Sequence, residues 1–303
     1  MKNIVPGVVA ASILIYACQK SVPMAAPSSL RTDPALVKKA GSAKSTDSLA
    51  NVPFPAGNGS GCAVLPLYGD TLIYPQPVAG QDDILLPANA PGPGKYLSWP
   101  AGLVIDHITG AIDLTTSQTG LKYAIGFVAE GGTDTCLNTL ILGGAAYYDS
   151  LYVVANGGTR AVPYYDADPA AGNPCSNGNG NGNGCKFDVT GSAAAQNVAV
   201  NNSSGEIDLQ KTLNGNAKTG GVFGTNPVDG QSVNTSISYQ LKKGSNNAIQ
   251  QIQVQLVYYS SLSVVPASLQ LTVNTRLNNV LNGFMISTSN NPRPPLIIIV
   301  RGR

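Results

Sequence analysis

The sequence predicts an all-β protein built as two tandem β-sandwiches. Three observations carry this: alternation of apolar and polar residues, a composition poor in charge and rich in turn formers, and a strand–glycine turn–strand motif that occurs twice. In Leu121–Ala129, the residues Leu121, Tyr123, Ile125 and Phe127 share one face. Ile237, Tyr239 and Leu241 alternate with Ser236, Ser238, Gln240 and Lys242, and Ile252, Val254, Leu256 and Tyr258 with Gln251, Gln253 and Gln255. A period of two is that of half-buried antiparallel strands, because successive side chains leave a strand on opposite faces. The intervening Lys243-Gly244-Ser245-Asn246-Asn247 reads as a hairpin loop. Helical periodicity is absent from every window beyond the N-terminal apolar run; a short helix around residues 34–44 would be marginal on its own.

The repeated motif divides the chain. Ile105-Asp106-His107-Ile108-Thr109-Gly110-Ala111-Ile112-Asp113-Leu114 aligns with Val200-Asn201-Asn202-Ser203-Ser204-Gly205-Glu206-Ile207-Asp208-Leu209. Gly110 and Gly205 stand about 95 residues apart, roughly the length of one sandwich domain. Each motif reads as a strand, a tight turn whose glycine takes positive φ, and a second strand with Ile and Leu inward. The expected boundaries are a first domain at 60–158 and a second at 159–303.

The N-terminus reads as an export signal. One lysine, in Met1-Lys2-Asn3, precedes an apolar run from Ile4 to Ala17. Such a run is shorter than the roughly 20 residues a membrane span needs. Ile15-Tyr16-Ala17-Cys18 resembles the lipobox of bacterial lipoproteins, with Tyr16 departing from the usual small residue. The resemblance implies removal of residues 1–17 and acylation of Cys18, giving a membrane partner through the lipid anchor. The alternative is an ordinary signal peptide with an unrelated cysteine. Gln19 is not the aspartate that holds such proteins at the inner membrane, which favours the outer membrane of the cell envelope. Residues 18–59, frequent in Ser, Ala, Pro and Lys, read as a flexible tether.

The first copy of the turn carries a second resemblance. Trp99-Pro100-Ala101-Gly102-Leu103-Val104-Ile105-Asp106-His107-Ile108-Thr109-Gly110-Ala111-Ile112, followed by Thr119-Gly120-Leu121-Lys122-Tyr123, resembles the signature of bacterial Ig-like and cadherin-like domains. It implies Greek-key Ig-like/cadherin-like sandwiches of the kind found in bacterial surface proteins. Only about forty residues are covered, and the second copy lacks the Pro-Ala-Gly-Leu lead. The Pro294-Pro295-Leu296-Ile297-Ile298-Ile299-Val300 run is similar to the ending of uncharacterised bacterial lipoproteins.

Besides Cys18, four cysteines remain: Cys62, Cys136, Cys175 and Cys185. An even number in an exported chain points to disulfides, and four allow three pairings. Cys175 and Cys185 bracket one loop, so the expected pairs are Cys175–Cys185 and, by elimination, Cys62–Cys136. The close paired spacing of a metal site is absent.

Composition leaves little chemistry. Charged residues are 11% of the chain and formal net charge is +2, with no basic cluster for nucleic acid. His107 is the only histidine, and it lies inside the turn motif. No G-x-S-x-G elbow supplies a nucleophile. Asp82-Asp83 are adjacent and would face opposite ways in a strand. Asp166-Ala167-Asp168, with Asp106 or Asp113, could offer oxygens to calcium. The cadherin calcium motifs are missing, however, so these read as solvated loop acids. No enzyme activity, cofactor or bound metal is expected.

Other features are surface candidates. Asn177-Gly178-Asn179-Gly180-Asn181-Gly182-Asn183-Gly184 reads as an exposed loop tip. The apolar Leu296–Val300 reads as a strand buried on both faces, or as a strand donated to a neighbouring subunit. Asp47-Ser48-Leu49, Asp70-Thr71-Leu72 and Asp149-Ser150-Leu151 resemble the D-[ST]-aliphatic acceptor for O-glycosylation used in some bacterial groups. Trp99, Tyr147, Tyr148, Tyr164, Tyr165, Tyr258 and Tyr259 are candidates for stacking on sugar. The function expected is a lipid-anchored binding or adhesion module with a glycan or protein ligand. The alternative is a structural or assembly lipoprotein: a spacer, or an envelope-complex or pilus-like subunit.

Overall fold

The computed structural model describes residues 62, 64–89, 91–175, 184–215, 220–242, 244–281 and 294–302. The expected signal peptide, Cys18, the tether and Asp47-Ser48-Leu49 lie outside the described residues, as do residues 176–183 of the Asn-Gly run.

The first seven strands are β1 (Leu72–Ile73), β2 (Ile84–Leu85), β3 (Gly94–Trp99), β4 (Val104–Ile105), β5 (Ile112–Asp113), β6 (Leu121–Ala129) and β7 (Cys136–Leu142). They form a four-stranded sheet in the order β1-β7-β6-β3 and a three-stranded sheet in the order β2-β5-β4. The chain changes sheet after β1, β2, β3 and β5, which makes the sandwich a Greek key. The alternating residues of β6 face inward: Leu121, Tyr123, Ile125 and Phe127 share one core with Leu85, Ile105 and Ile112 of the opposite sheet.

The second unit repeats this plan. Its strands are β8 (Ala145–Tyr147), β9 (Ser150–Val153), β10 (Arg160–Ala161), β11 (Pro163–Tyr165), β12 (Cys185–Phe187), β13 (Ile207–Asp208), β14 (Ser232–Leu241), β15 (Ile249–Tyr259) and β16 (Leu296–Val300). Three helices accompany them: α1 (Ser192–Ala195), α2 (Leu209–Asn214) and α3 (Ala267–Leu281). The large sheet runs β12-β14-β15-β16-β9, and the small one is β10-β13, with Val200 bridging Ile207 where β4 stands in the first unit. β12, β14 and β15 thus correspond to β3, β6 and β7, and β9 to β1.

One difference separates the two units. In the first, β1 pairs directly and in parallel with β7. In the second, β16 is intercalated, parallel to β15 on one side and to β9 on the other. Ile297 and Ile299 face the sandwich core, whereas Leu296, Ile298 and Val300 face outward against α3. Burial on both faces accounts for the unbroken apolar run.

The helix α3 corrects the expectation that no helix follows the N-terminal apolar run. It connects β15 to β16, and a parallel pair requires such a crossover. Its buried stripe is sparse: Leu269 and Val273 pack on the outer face of the sheet, and Val280 reaches the first unit's core. Leu271 and Leu281 are 68% and 54% exposed, which blurs the apolar period that a sequence reading depends on.

Each unit has its own core around its own glycine turn. Between them lies the β8–β11 ribbon, whose alternation serves both: Ala145, Tyr147 and Tyr165 enter the second core, and Ala146 and Tyr164 the first. β9, within the 60–158 span read as the first domain, pairs in the second sheet. The seam therefore runs through residues 145–165.

Asp149 fixes the intercalated strand. Fully buried, its Oδ1 accepts the Leu296 N–H at 3.0 Å and lies 3.3 Å from Nη1 of Arg276 on α3. A buried hydrogen bond to a charged acceptor stabilises by about 1.5–3 kcal/mol. Asp149→Ala is accordingly expected to lower unfolding free energy by about 2–3 kcal/mol, with Asp149→Asn intermediate, in urea denaturation followed by circular dichroism.

Candidate functional site

The two glycine turns are built alike, bond for bond. In the first, Asp106 Oδ1 accepts the N–H groups of Ile108 and Thr109, and Gly110 N–H donates to Asp106 O. In the second, Asn201 Oδ1 accepts from Ser203 and Ser204, and Gly205 N–H donates to Asn201 O. Gly110 and Gly205 have φ of +72° and +74°. A Cβ on either would sit 2.6 Å from a ring carbon, of Tyr96 or of Phe187 respectively. A tyrosine hydroxyl closes each turn from outside: Tyr68 donates to Gly110 O and Tyr147 to Gly205 O. These glycines are architectural.

At the seam, polar groups lock the units together. Tyr239, from β14, accepts the Ala145 N–H at 2.9 Å and is hydrogen-bonded to the Thr119 hydroxyl. Tyr74 donates to Asp166 Oδ2 at 2.5 Å, while Asp166 Oδ1 accepts the Gly144 N–H at 2.9 Å. Burial pushes the phenols of Tyr74, Tyr147 and Tyr239 well up, so they stay neutral.

The structure pairs Cys62 with Cys136 and Cys175 with Cys185. The first closes 74 residues and fixes the N-terminal segment to the start of β7; the second closes 10 and stands at the edge strand β12.

The other candidate residues have structural duties. His107 donates from Nδ1 to Tyr96 O at 2.8 Å, and its own carbonyl accepts the Tyr96 N–H. Asp83 is buried and accepts the Gln76 N–H, whereas Asp82 is exposed. Asp113 accepts from Thr115 and Thr116, and Asp168 from the Ala170 N–H. With the Asp166 bonds to the Tyr74 hydroxyl and the Gly144 N–H, the acids read as solvated loop residues are each held by hydrogen bonds, and Asp113 is buried. Among the described residues, no cluster of three or more His, Cys, Asp or Glu side chains is placed to hold a metal ion. The aromatic candidates need correction as sugar platforms. Trp99, Tyr147, Tyr164, Tyr165, Tyr258 and Tyr259 are all buried: the tyrosines lie on inward or helix-covered strand faces, and Trp99 packs with Leu97 and Ala124 on the face of β3 opposite Tyr96; only Tyr148 is half-exposed.

A polar depression of about 830 Å³ remains beside the second turn, lined by Lys186, Asp188, Asn202, Ser203, Lys242 and Asn247 among others. The β12–β14 register brings Lys186 opposite Gln240, two residues before Lys242. Neither lysine forms an ion pair among the described residues. The Asp188 carboxylate, also in the lining, forms no ion pair with either lysine and accepts the N–H groups of Ala193 and Ala194 at 2.9 Å each. The result is a concave surface with two ammonium groups, two amides, a hydroxyl and one carboxylate already bonded to backbone. It suits carboxylate or sulfate oxygens flanked by hydroxyls. Sequence reasoning missed it, since Lys186 and Lys242 are brought together only by strand pairing.

No protein-family profile and no curated protein matches the sequence. Among solved structures the chain is similar to "Crystal structure of Drosophila N-cadherin EC1-4", at 8% identity and a TM-score of 0.19. The likeness covers 62% of this chain and 46% of that one, so the chain spans about half of that structure's length. So faint a likeness says nothing of function, and the sandwich assignment rests on strand order and packing.

Two outcomes are expected of this site. Replacing Cys62 and Cys136 by Ala should cost about 4 kcal/mol in denaturant unfolding, and replacing Cys175 and Cys185 about 3, because the larger loop restrains the unfolded chain more. The second concerns pH. Burial pushes the Asp106 carboxyl up, but the N–H bonds from Thr109 and Ile108, with the Thr109 hydroxyl and His107, outweigh it and hold it below its ordinary 3.8. Its contribution is therefore complete above that value and is lost as pH falls through the lower folded one. Asp106→Asn, which copies Asn201, should flatten the fall in thermal midpoint below about pH 4.

Proposed function

We propose that the chain is a lipid-anchored binding module of the cell envelope, with no catalytic activity and with the depression beside β12 as its ligand surface. The observation that carries this reading is the pair of uncompensated lysines, Lys186 and Lys242, at the rim of a polar concavity. The ligand class that fits is an anionic glycan or an acidic protein segment, held by charge-assisted hydrogen bonds. The signal-like N-terminus and Cys18 support export, acylation and residence at the outer membrane. The lipobox and the Ig-like/cadherin-like signature support a surface lipoprotein assembled from sandwich domains.

The competing reading is a structural or assembly lipoprotein. The burial of six of the seven candidate aromatics and the hydrogen-bonded seam favour it, since both suit a stiff spacer.

Calorimetric titration of the full chain in detergent, with uronic-acid oligosaccharides and acidic peptides against neutral counterparts, distinguishes the two. Binding of an acidic set, weakened about tenfold by Lys186→Glu and again by Lys242→Glu, is expected. Binding that ignores both substitutions, or no binding to either set, would favour the spacer.

A further inference from the structure

We propose that Thr71 carries an O-linked glycan, attached at Asp70-Thr71-Leu72 after export; this rests on the cell-envelope reading above. Three tripeptides in the chain have the form Asp, hydroxyl residue, aliphatic, and the structure separates the two that it describes. At Asp149-Ser150-Leu151 the aspartate is fully buried and bound to Leu296 N–H and Arg276. Its serine is half-buried and held in β9. With Asp149 fully buried and bonded, the acidic residue of that tripeptide is not open to an enzyme.

At Asp70-Thr71-Leu72 all three side chains are exposed, Leu72 by 39%. The tripeptide is held through backbone: the Thr71 carbonyl accepts the Ile141 N–H at 2.6 Å, and Leu72 pairs with Ile141 in β1. The hydroxyl lies at the entry to β1, which pairs with β7 on one side only. Glycosyl transfer needs such a hydroxyl: Thr71 Oγ attacks the anomeric carbon of a lipid-diphosphate-linked glycan. The bond from that carbon to the phosphate oxygen breaks, the lipid diphosphate leaves with the electron pair, and the hydroxyl proton passes to a base of the transferase.

The location also gives the glycan a physical task. An unpaired strand edge invites another chain to add to it. Val64, Leu65, Leu67 and Leu72, between 36% and 45% exposed, put apolar surface on this same segment. A hydrated oligosaccharide at Thr71 covers that edge and keeps copies apart.

The test is the intact mass and peptide map of the full protein isolated from the cells that make it. Expected is a mass above that of the acylated chain, with the excess on the peptide containing Thr71. The whole excess disappears in Thr71→Val and Asp70→Asn, and persists in Thr71→Ser and Ser150→Ala. Circular dichroism of Thr71→Val confirms that its fold is kept. A chain acylated at Cys18 but bare at Thr71, or a glycan confined to Ser48 or Ser150, overturns the proposal and leaves the envelope reading standing. A chain with its N-terminus uncut and no glycan overturns both.

Discussion

The structure depends on a constraint met twice: a backbone turn pressed so closely against an aromatic ring that no Cβ fits, and closed by a phenol from a distant part of the chain. Gly110 against Tyr96, and Gly205 against Phe187, let the two sheets of each sandwich come together at one end. The hydroxyls of Tyr68 and Tyr147 satisfy the glycine carbonyls that this approach buries. Burying those carbonyls unpaired would cost as much as the turn gains. In both units the ring under the glycine also meets an aromatic of the adjoining strand: Tyr96 with Phe127, and Phe187 with Tyr239.

This accounts for what was legible in the sequence. The glycine, the Asx acceptor and the following Ile-Asp-Leu are local, so their spacing survives as a readable repeat. Alternation in β6, β14 and β15 was equally plain, because one face of each strand meets a core. The tyrosine partners were not legible: they lie 42 and 58 residues from their glycines, and nothing local marks them. Nor was α3, whose few buried positions are diluted by exposed leucines and by Asn and Thr on its flanks. The exposed lysines of the depression failed for a third reason. Lys186 and Lys242 belong to different strands, and only the register of β12 on β14 makes them neighbours.

The aromatic candidates teach the opposite lesson. A sandwich of this size has few large residues with which to fill its interior, only 13 Tyr, 5 Phe and 1 Trp in the whole chain. The tyrosines are spent on the core and the seam, where a ring fills volume and a hydroxyl pairs with buried backbone. In the proposed binding reading, recognition then falls to polar side chains at the rim. A protein so poor in charge makes two neighbouring lysines without acidic partners conspicuous in the fold, though not in the sequence.

The intercalated strand has a consequence for biogenesis. A parallel strand at the margin of a sheet can be added last without disturbing its neighbours, but β16 occupies an inner place, with β9 beyond it. Since β16 comes last among the described strands, β9 has no neighbour in the large sheet until β16 has docked. The first sandwich draws its two sheets from residues 72–142 and does not wait for β16. The second keeps a slot open in its large sheet until residues 296–300 dock, so its closure is the later event.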